Sequence, residues 1–208
     1  MNIHTLKIKL SQRLEKQLPG VLSQNIMLVK PQTSARYLST SDNNVLSAVL
    51  ILLFPFNNDI HFFLTKRSES VQYHKGQISL PGGTKEPGEE LAHTALRETN
   101  EEIGVTSDTV QIIGELTPLV VPITGFQIHS FVGCCKSRPE TSKDSQEVEF
   151  ILSVPIRSLL NENYLMSEKW NLRGHMCSVP YFYLNNEKVW GATSMILSEF
   201  KVVLNSIL

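Results

Sequence analysis

The chain has 208 residues, 41% of them hydrophobic and 19% charged, enough apolar content to bury a core and too much for a disordered chain. Nineteen Lys and Arg against 20 Asp and Glu leave a formal net charge of −1, and no basic face stands out in the sequence. A nucleic-acid partner held through its phosphates is therefore not expected.

Leu6, Leu10, Leu14 and Leu18 recur every four residues near the start, the stripe of a helix docked on a core. Lys7, Lys9, Arg13 and Lys16 lie on the same stretch with only Glu15 opposing them, as in a mitochondrial presequence, but the leucine stripe favours the docked helix. The N-terminus carries no apolar stretch of the signal-peptide kind. The longest apolar run, 45–56, falls short of the about 20 residues a bilayer requires. A cytoplasmic protein without membrane association is expected. Cys134, Cys135 and Cys177 show no zinc or redox spacing and read as free thiols of a reducing compartment.

Residues 19–43, rich in Pro, Ser, Thr, Gln and Asn, read as a loosely structured lead-in, and 44–208 as the main domain. VLSAVLILLFPF (45–56) has the length and composition of a buried strand. The turn residues Asn57-Asn58-Asp59 and the alternating run behind them make a hairpin. Glu86-Pro87-Gly88-Glu89 has the type II turn signature, Pro presetting φ and Gly accepting a positive one. A helix follows from Glu90 to Ile103 with the apolar stripe Ala92, Ala95, Leu96, Thr99 and Ile103, and Gly104 stops it. Strands are expected near 110–116, 127–134, 147–154 and 181–184, with a short helix at 156–160 and a terminal helix over 191–208. Without regular βαβ alternation, this order gives an α/β/α sandwich built on a mixed sheet.

The chemistry concentrates in GTKEPGEELAHTALRETNEEIGV (83–105). On a helix, Glu98, Glu101 and Glu102 fall within an arc of roughly 100°, opposite the apolar stripe. Two like charges about 4 Å apart repel by roughly 4 kcal/mol at an effective dielectric near 20. A solvated acidic face would tolerate them apart. The Gly-rich turn just before the helix argues instead for a hard divalent cation such as Mg²⁺ or Mn²⁺ among the carboxylates.

This segment resembles the Nudix box, G-x5-E-x7-R-E-U-x-E-E-x-G-U. Gly83, Glu89, Arg97, Glu98, Glu101, Glu102 and Gly104 fall in place, with Thr99 and Val105 at the apolar positions. The resemblance implies a Nudix fold and metal-dependent hydrolysis of a phosphoanhydride. It makes Glu98 and Glu102 the main metal ligands, with Glu101 serving a further ion and the Gly82 carbonyl a backbone ligand. Arg97 would hold the carboxylates, and Glu89 would support the turn and helix.

LTKRSESVQYHKGQISLPGG (64–83) further resembles the segment that marks the coenzyme A pyrophosphatase branch, through Leu64, Thr65, Arg67, Ser68, His74, Gly76, Gln77, Pro81, Gly82 and Gly83. Val71-Gln72 stands where that branch has Leu-Arg, and Leu80 where it often has Phe. The resemblance implies cleavage of CoA and acyl-CoA to adenosine 3′,5′-bisphosphate and 4′-phosphopantetheine or its acyl form. The implied partner is this small-molecule substrate, handled by a monomer or homodimer. By residue type alone, Lys66, Arg67, His74 and Lys75 suit a phosphate-rich substrate or an ordinary basic loop equally; the resemblance implies binding, with Ser68, Gly76 and Gln77 in the same segment. The resemblance matches Glu147 to a later carboxylate used as metal ligand or general base, with Asp144 and Glu149 as its rivals and a plain surface acid as the other reading. Trp190 and Phe126 are read as packing residues rather than base-stacking ones. Other Nudix substrates (ADP-ribose, NADH, nucleoside triphosphates) and a non-catalytic nucleotide sensor are the alternatives.

Overall fold

The computed structural model describes residues 2–31, 45–69, 75–122, 124–172 and 174–208. Its centre is an eight-stranded mixed sheet. β2 (Val45–Phe56) pairs in parallel with β8 (Phe126–Cys134). Near its end it also pairs antiparallel with β3 (Asp59–Arg67), and near its start with β5 (Gly82–Thr84). β3 carries β4 (Ile78–Ser79) and β9 (Val148–Pro155), and β8 carries β6 (Gln111–Glu115) and β7 (Leu119–Val121).

β2 reads as one apolar run because both faces of its sheet are covered. Alternate residues point oppositely along a strand. Ala48, Leu50, Leu52 and Phe54 accordingly pack with Ala95 and Ile103 of α3 (Leu91–Ile103), whereas Ile51 and Leu53 join a larger core on the other face. That larger core takes Leu6, Leu10 and Leu14 from α1 (Ile3–Leu14), and Ile196, Leu197 and Phe200 from α5 (Gly191–Asn205). The leucine stripe is thus a docked face, with Leu18 partly buried behind it. The hairpin turn is formed by Asn57 and Asn58 at φ 49° and 61°, the paired positive values of a type I′ turn. Cys134, Cys135 and Cys177 are free and buried.

Two expectations need correction. The lead-in is not loosely structured where it is described. It holds α2 (Val21–Gln24), a 3₁₀ turn (Asn25–Met27) and β1 (Lys30–Pro31). The buried Glu199 carboxylate of α5 pins it, accepting from the Gly20 N–H at 3.0 Å and Gln24 Nε2 at 2.9 Å, and also from Thr117 Oγ1 at 2.7 Å. Residues 32–43 of that stretch lie outside the described residues.

The sequence reading also missed a second sheet, in which β11 (His175–Leu184) pairs with β1, β10 (Leu165–Leu172) and β12 (Glu187–Val189). β10, LMSEKWNL, has no fully buried residue and no apolar run to announce it. Its Trp170 packs on Trp190, the two rings meeting edge-on at 5.2 Å between centroids.

Candidate active site

α3 begins after the turn at 86–89, where the Glu89 N–H returns to Glu86 O at 3.2 Å and Gly88 takes φ 79°, as a type II turn requires. Glu90 stands at the N-cap position without a side-chain cap bond, and Gly104, left-handed at φ 74°, ends the helix. The buried Thr99 donates its hydroxyl to Ala95 O at 2.6 Å, so this polar residue leaves no unpaired group under the helix.

Arg97 is the hub of the acidic side. Its Nε meets Glu89 Oε1 at 3.0 Å, and its Nη1 meets Glu98 Oε1 and Glu101 Oε2 at 2.9 Å each. Nη2 donates to Thr84 O at 3.1 Å, tying the glycine loop to the helix. Glu89 also accepts from the Thr94 hydroxyl at 2.7 Å. The Arg97 guanidinium, followed by these other donors, holds the Glu89 carboxyl down at about 2.

Glu98 lies against the glycine loop. A Cβ on Gly83 would stand 2.4 Å from its carboxylate, so any larger residue there would push the acid aside. Burial pushes the Glu98 carboxyl up, against the pull of Arg97. Glu102 is 2% exposed, and burial pushes its carboxyl up to about 8, opposed chiefly by Arg67 and also by the Gly82 backbone amide. Its Oε1 is 3.6 Å from Arg67 Nη1, while its buried Oε2 has no hydrogen-bond partner among the described residues. The exposed Glu147 adds negative charge felt by both Glu98 and Glu102.

Strand geometry sorts the basic segment. Lys66 and Arg67 are neighbours at the end of β3, where the register with β9 shifts between them, and their side chains meet different partners. Arg67 faces Glu102. Lys66 turns to Glu187 at 3.4 Å, Glu149 at 3.9 Å and the Phe150 ring, away from the helix acids. The structure therefore does not gather Lys66 with the rest, and Glu149 is occupied there too. Ser68, Gly76 and Gln77 frame Arg67 through the backbone. The Arg67 N–H donates to Gln77 O at 3.0 Å, the Gly76 N–H to Arg67 O at 3.1 Å, and the Ser68 N–H to Glu147 O at 2.8 Å. His74 lies outside the described residues, as does Val71-Gln72.

The chain matches the NUDIX domain family model over residues 45–172. The chain belongs to the Nudix hydrolase family. Nudix hydrolase 3 of Caenorhabditis elegans is 30% identical over 200 residues, covering 88% of this chain and 82% of the relative. A Nudix hydrolase NudL of Photorhabdus laumondii is 29% identical over 160 residues, with 76% and 84% covered. Among solved structures, the Nudix hydrolase RenU of M. smegmatis superposes with a TM-score of 0.54 at 14% identity, over 86% of this chain and 95% of its own. The MutT protein of Methanosarcina mazei gives 0.52 at 18% identity, over 80% and 99%. These two likenesses carry the fold.

Nudix hydrolases generally use divalent metal ions. The residues of this Nudix site fit such an ion in chemistry. Glu102 offers a buried carboxylate oxygen with nothing to accept from, and Gly83 leaves a cradle for Glu98. Among the described residues no three Asp, Glu, His or Cys side chains already form a metal shell. The reason is visible in the ion pairs: Glu98 and Glu101 are drawn to Arg97, and Glu102 to Arg67. Asp144, read from the sequence only as a rival to Glu147, has a different place in the structure. It organises the turn before Glu147, its Oδ1 accepting from the Gln146 N–H at 2.8 Å and its carbonyl from the Val148 N–H at 2.8 Å.

Proposed function

We propose that this Nudix hydrolase cleaves the pyrophosphate bond of coenzyme A and of acyl-CoAs with Mg²⁺ or Mn²⁺, yielding adenosine 3′,5′-bisphosphate and 4′-phosphopantetheine or its acyl form. The observation that carries this reading is the setting of Arg67. It belongs to the 64–83 segment that resembles the CoA pyrophosphatase branch, and it stands against Glu102 of the Nudix helix. A phosphate-binding cation next to a metal-binding acid suits a substrate with several phosphates.

In this reading Glu98, Glu101, Glu102 and the Gly82 carbonyl hold the cation. A bound divalent ion neutralises the pyrophosphate and stabilises charge on the leaving oxygen. Arg97 orients Glu98 and Glu101, and Glu147 takes the proton of the attacking water. Arg67 binds substrate phosphate, with Ser68, His74, Gly76 and Gln77 completing that segment. Lys66 is paired with Glu187 and Glu149 instead and stands apart from these contacts.

The family match over 45–172 supports a catalytic domain at 44–208, with 1–43 an N-terminal extension whose helix α1 packs on it. No helix among the described residues is long and apolar enough to cross a membrane. A cytoplasmic location and a monomer or homodimer complete the proposal. The test is a substrate panel with Mg²⁺ and with Mn²⁺: CoA, acyl-CoA, ADP-ribose, NADH and dNTPs. The highest kcat/KM is expected for CoA or an acyl-CoA. Preference for another member overturns the substrate assignment, and no turnover on any member points to a nucleotide sensor.

A further inference from the structure

The last four carbonyls of a helix have no partners within it. In α3 two of them are taken by a distant loop. The Ser142 N–H donates to Ile103 O at 2.9 Å, and the Asp144 N–H to Glu102 O at 3.1 Å. Gly104 permits this docking, since a Cβ there would stand 2.9 Å from Ser142 O and 3.0 Å from Ser142 N. The loop that carries Glu147 is therefore fastened to the end of the helix that carries Glu102.

Asp144 then shapes the rest of that loop. Its carboxylate accepts the Gln146 N–H at 2.8 Å, an Asx turn, and its carbonyl accepts from the Glu147 N–H at 3.2 Å and the Val148 N–H at 2.8 Å. On the other side the Ser68 N–H holds Glu147 O at 2.8 Å. The Glu147 backbone is clasped from both directions while its side chain stays exposed.

We propose that Asp144 is a positioning residue for the hydrolysis, its Asx turn setting the Glu147 carboxylate against Glu98 and Glu102. The inference rests on the reading that Glu147 serves catalysis. The carboxylate oxygen does this work as a hydrogen-bond acceptor, and its charge plays no part, so asparagine can replace it.

The experiment compares Asp144→Ala, Asp144→Asn, Glu147→Gln and the Asp144→Ala/Glu147→Gln pair, each as the full chain with saturating Mn²⁺. It reads kcat and KM on the best substrate of the panel, Tm, and Mn²⁺ affinity from the EPR signal of the free ion. Asp144→Ala is expected to lower kcat by about tenfold or more, as a misplaced group does, with KM and Tm little changed. Asp144→Asn restores kcat to near wild type. The double variant is no slower than Glu147→Gln alone. Full kcat in Asp144→Ala beside an impaired Glu147→Gln overturns the positioning role and leaves the reading of Glu147 intact. Additive losses in the double variant overturn it as well. An asparagine variant as slow as the alanine one, with weakened Mn²⁺ binding, makes Asp144 a ligand instead. Full activity in Glu147→Gln overturns the catalytic reading of Glu147 and the inference with it.

Discussion

Arg67 and Glu102 face each other with Nη1 and Oε1 3.6 Å apart, across the gap between a strand end and the acidic helix α3. Glu102 is almost fully buried, so Arg67 is the cation that opposes its desolvation. Arg67 is in turn held by Gly76 and Gln77 through its backbone. In the proposed function, substrate phosphate and helix carboxylate would compete for one guanidinium.

That placement separates Arg67 from Lys66. A charge-assisted contact is worth about 1.5–3 kcal/mol, or roughly 10- to 100-fold. Arg67→Ala should lower kcat/KM by that order, and more for CoA than for dephospho-CoA, which lacks the 3′-phosphate. Lys66→Ala should have a much smaller effect, because its partners are Glu187 and Glu149. Steady-state kinetics on both substrates decide it. Equal losses from Arg67→Ala on the two would assign Arg67 to the shared pyrophosphate.

Metal dependence follows from the unpartnered Glu102 oxygen and the Gly83 cradle. Chelation by EDTA should abolish turnover, and Mg²⁺ or Mn²⁺ should restore it. Glu102→Gln should lower kcat by orders of magnitude without lowering Tm, since the amide relieves a buried charge. Undiminished activity in EDTA would sink this reading.

Glu147→Gln should reduce kcat by about 10²–10⁴-fold, the usual contribution of a general base. Tm should hardly move, because the side chain is exposed. A loss that persists at saturating metal marks a base, whereas one repaired by excess metal marks a ligand. Near-full activity would make it a surface acid.

The Glu89–Arg97 pair gives a pH signature. The folded-state carboxyl lies at about 2 against an ordinary 4.5, so its contribution is present above pH 4.5 and fades as pH falls toward 2. Glu89→Gln should lower the urea midpoint at pH 6. The gap from wild type should narrow on acidification below pH 4.5. A gap that stays constant across that range would remove the ion pair as its cause.

The N-terminal helix is tested by Leu10→Ala. Leu10 is fully buried in the larger core. Large-to-small changes at such sites cost about 2–5 kcal/mol. Thermal and urea denaturation of the whole chain should show one shifted transition. A separate early transition would mean that α1 unfolds independently of the rest.

The sequence by itself determined the elements whose causes are local. The 86–89 turn, the α3 stripe and its Gly104 stop, and the leucine face of α1 are each written in a few adjacent residues, where spacing alone sets which side chains share a face. It also placed Glu98, Glu101 and Glu102 on one side of a helix, because 3.6 residues per turn leaves no other arrangement. The tertiary structure alone decided what those acids meet. Arg97 reaches across to Thr84 O, β3 turns Arg67 inward and Lys66 away, and the 142–148 loop caps α3 from forty residues downstream by sequence, at Ile103 O and Glu102 O. Contacts of that kind depend on which strands lie side by side. The same holds for β10, whose polar residues are stabilised by pairing with β11 rather than by any pattern of their own.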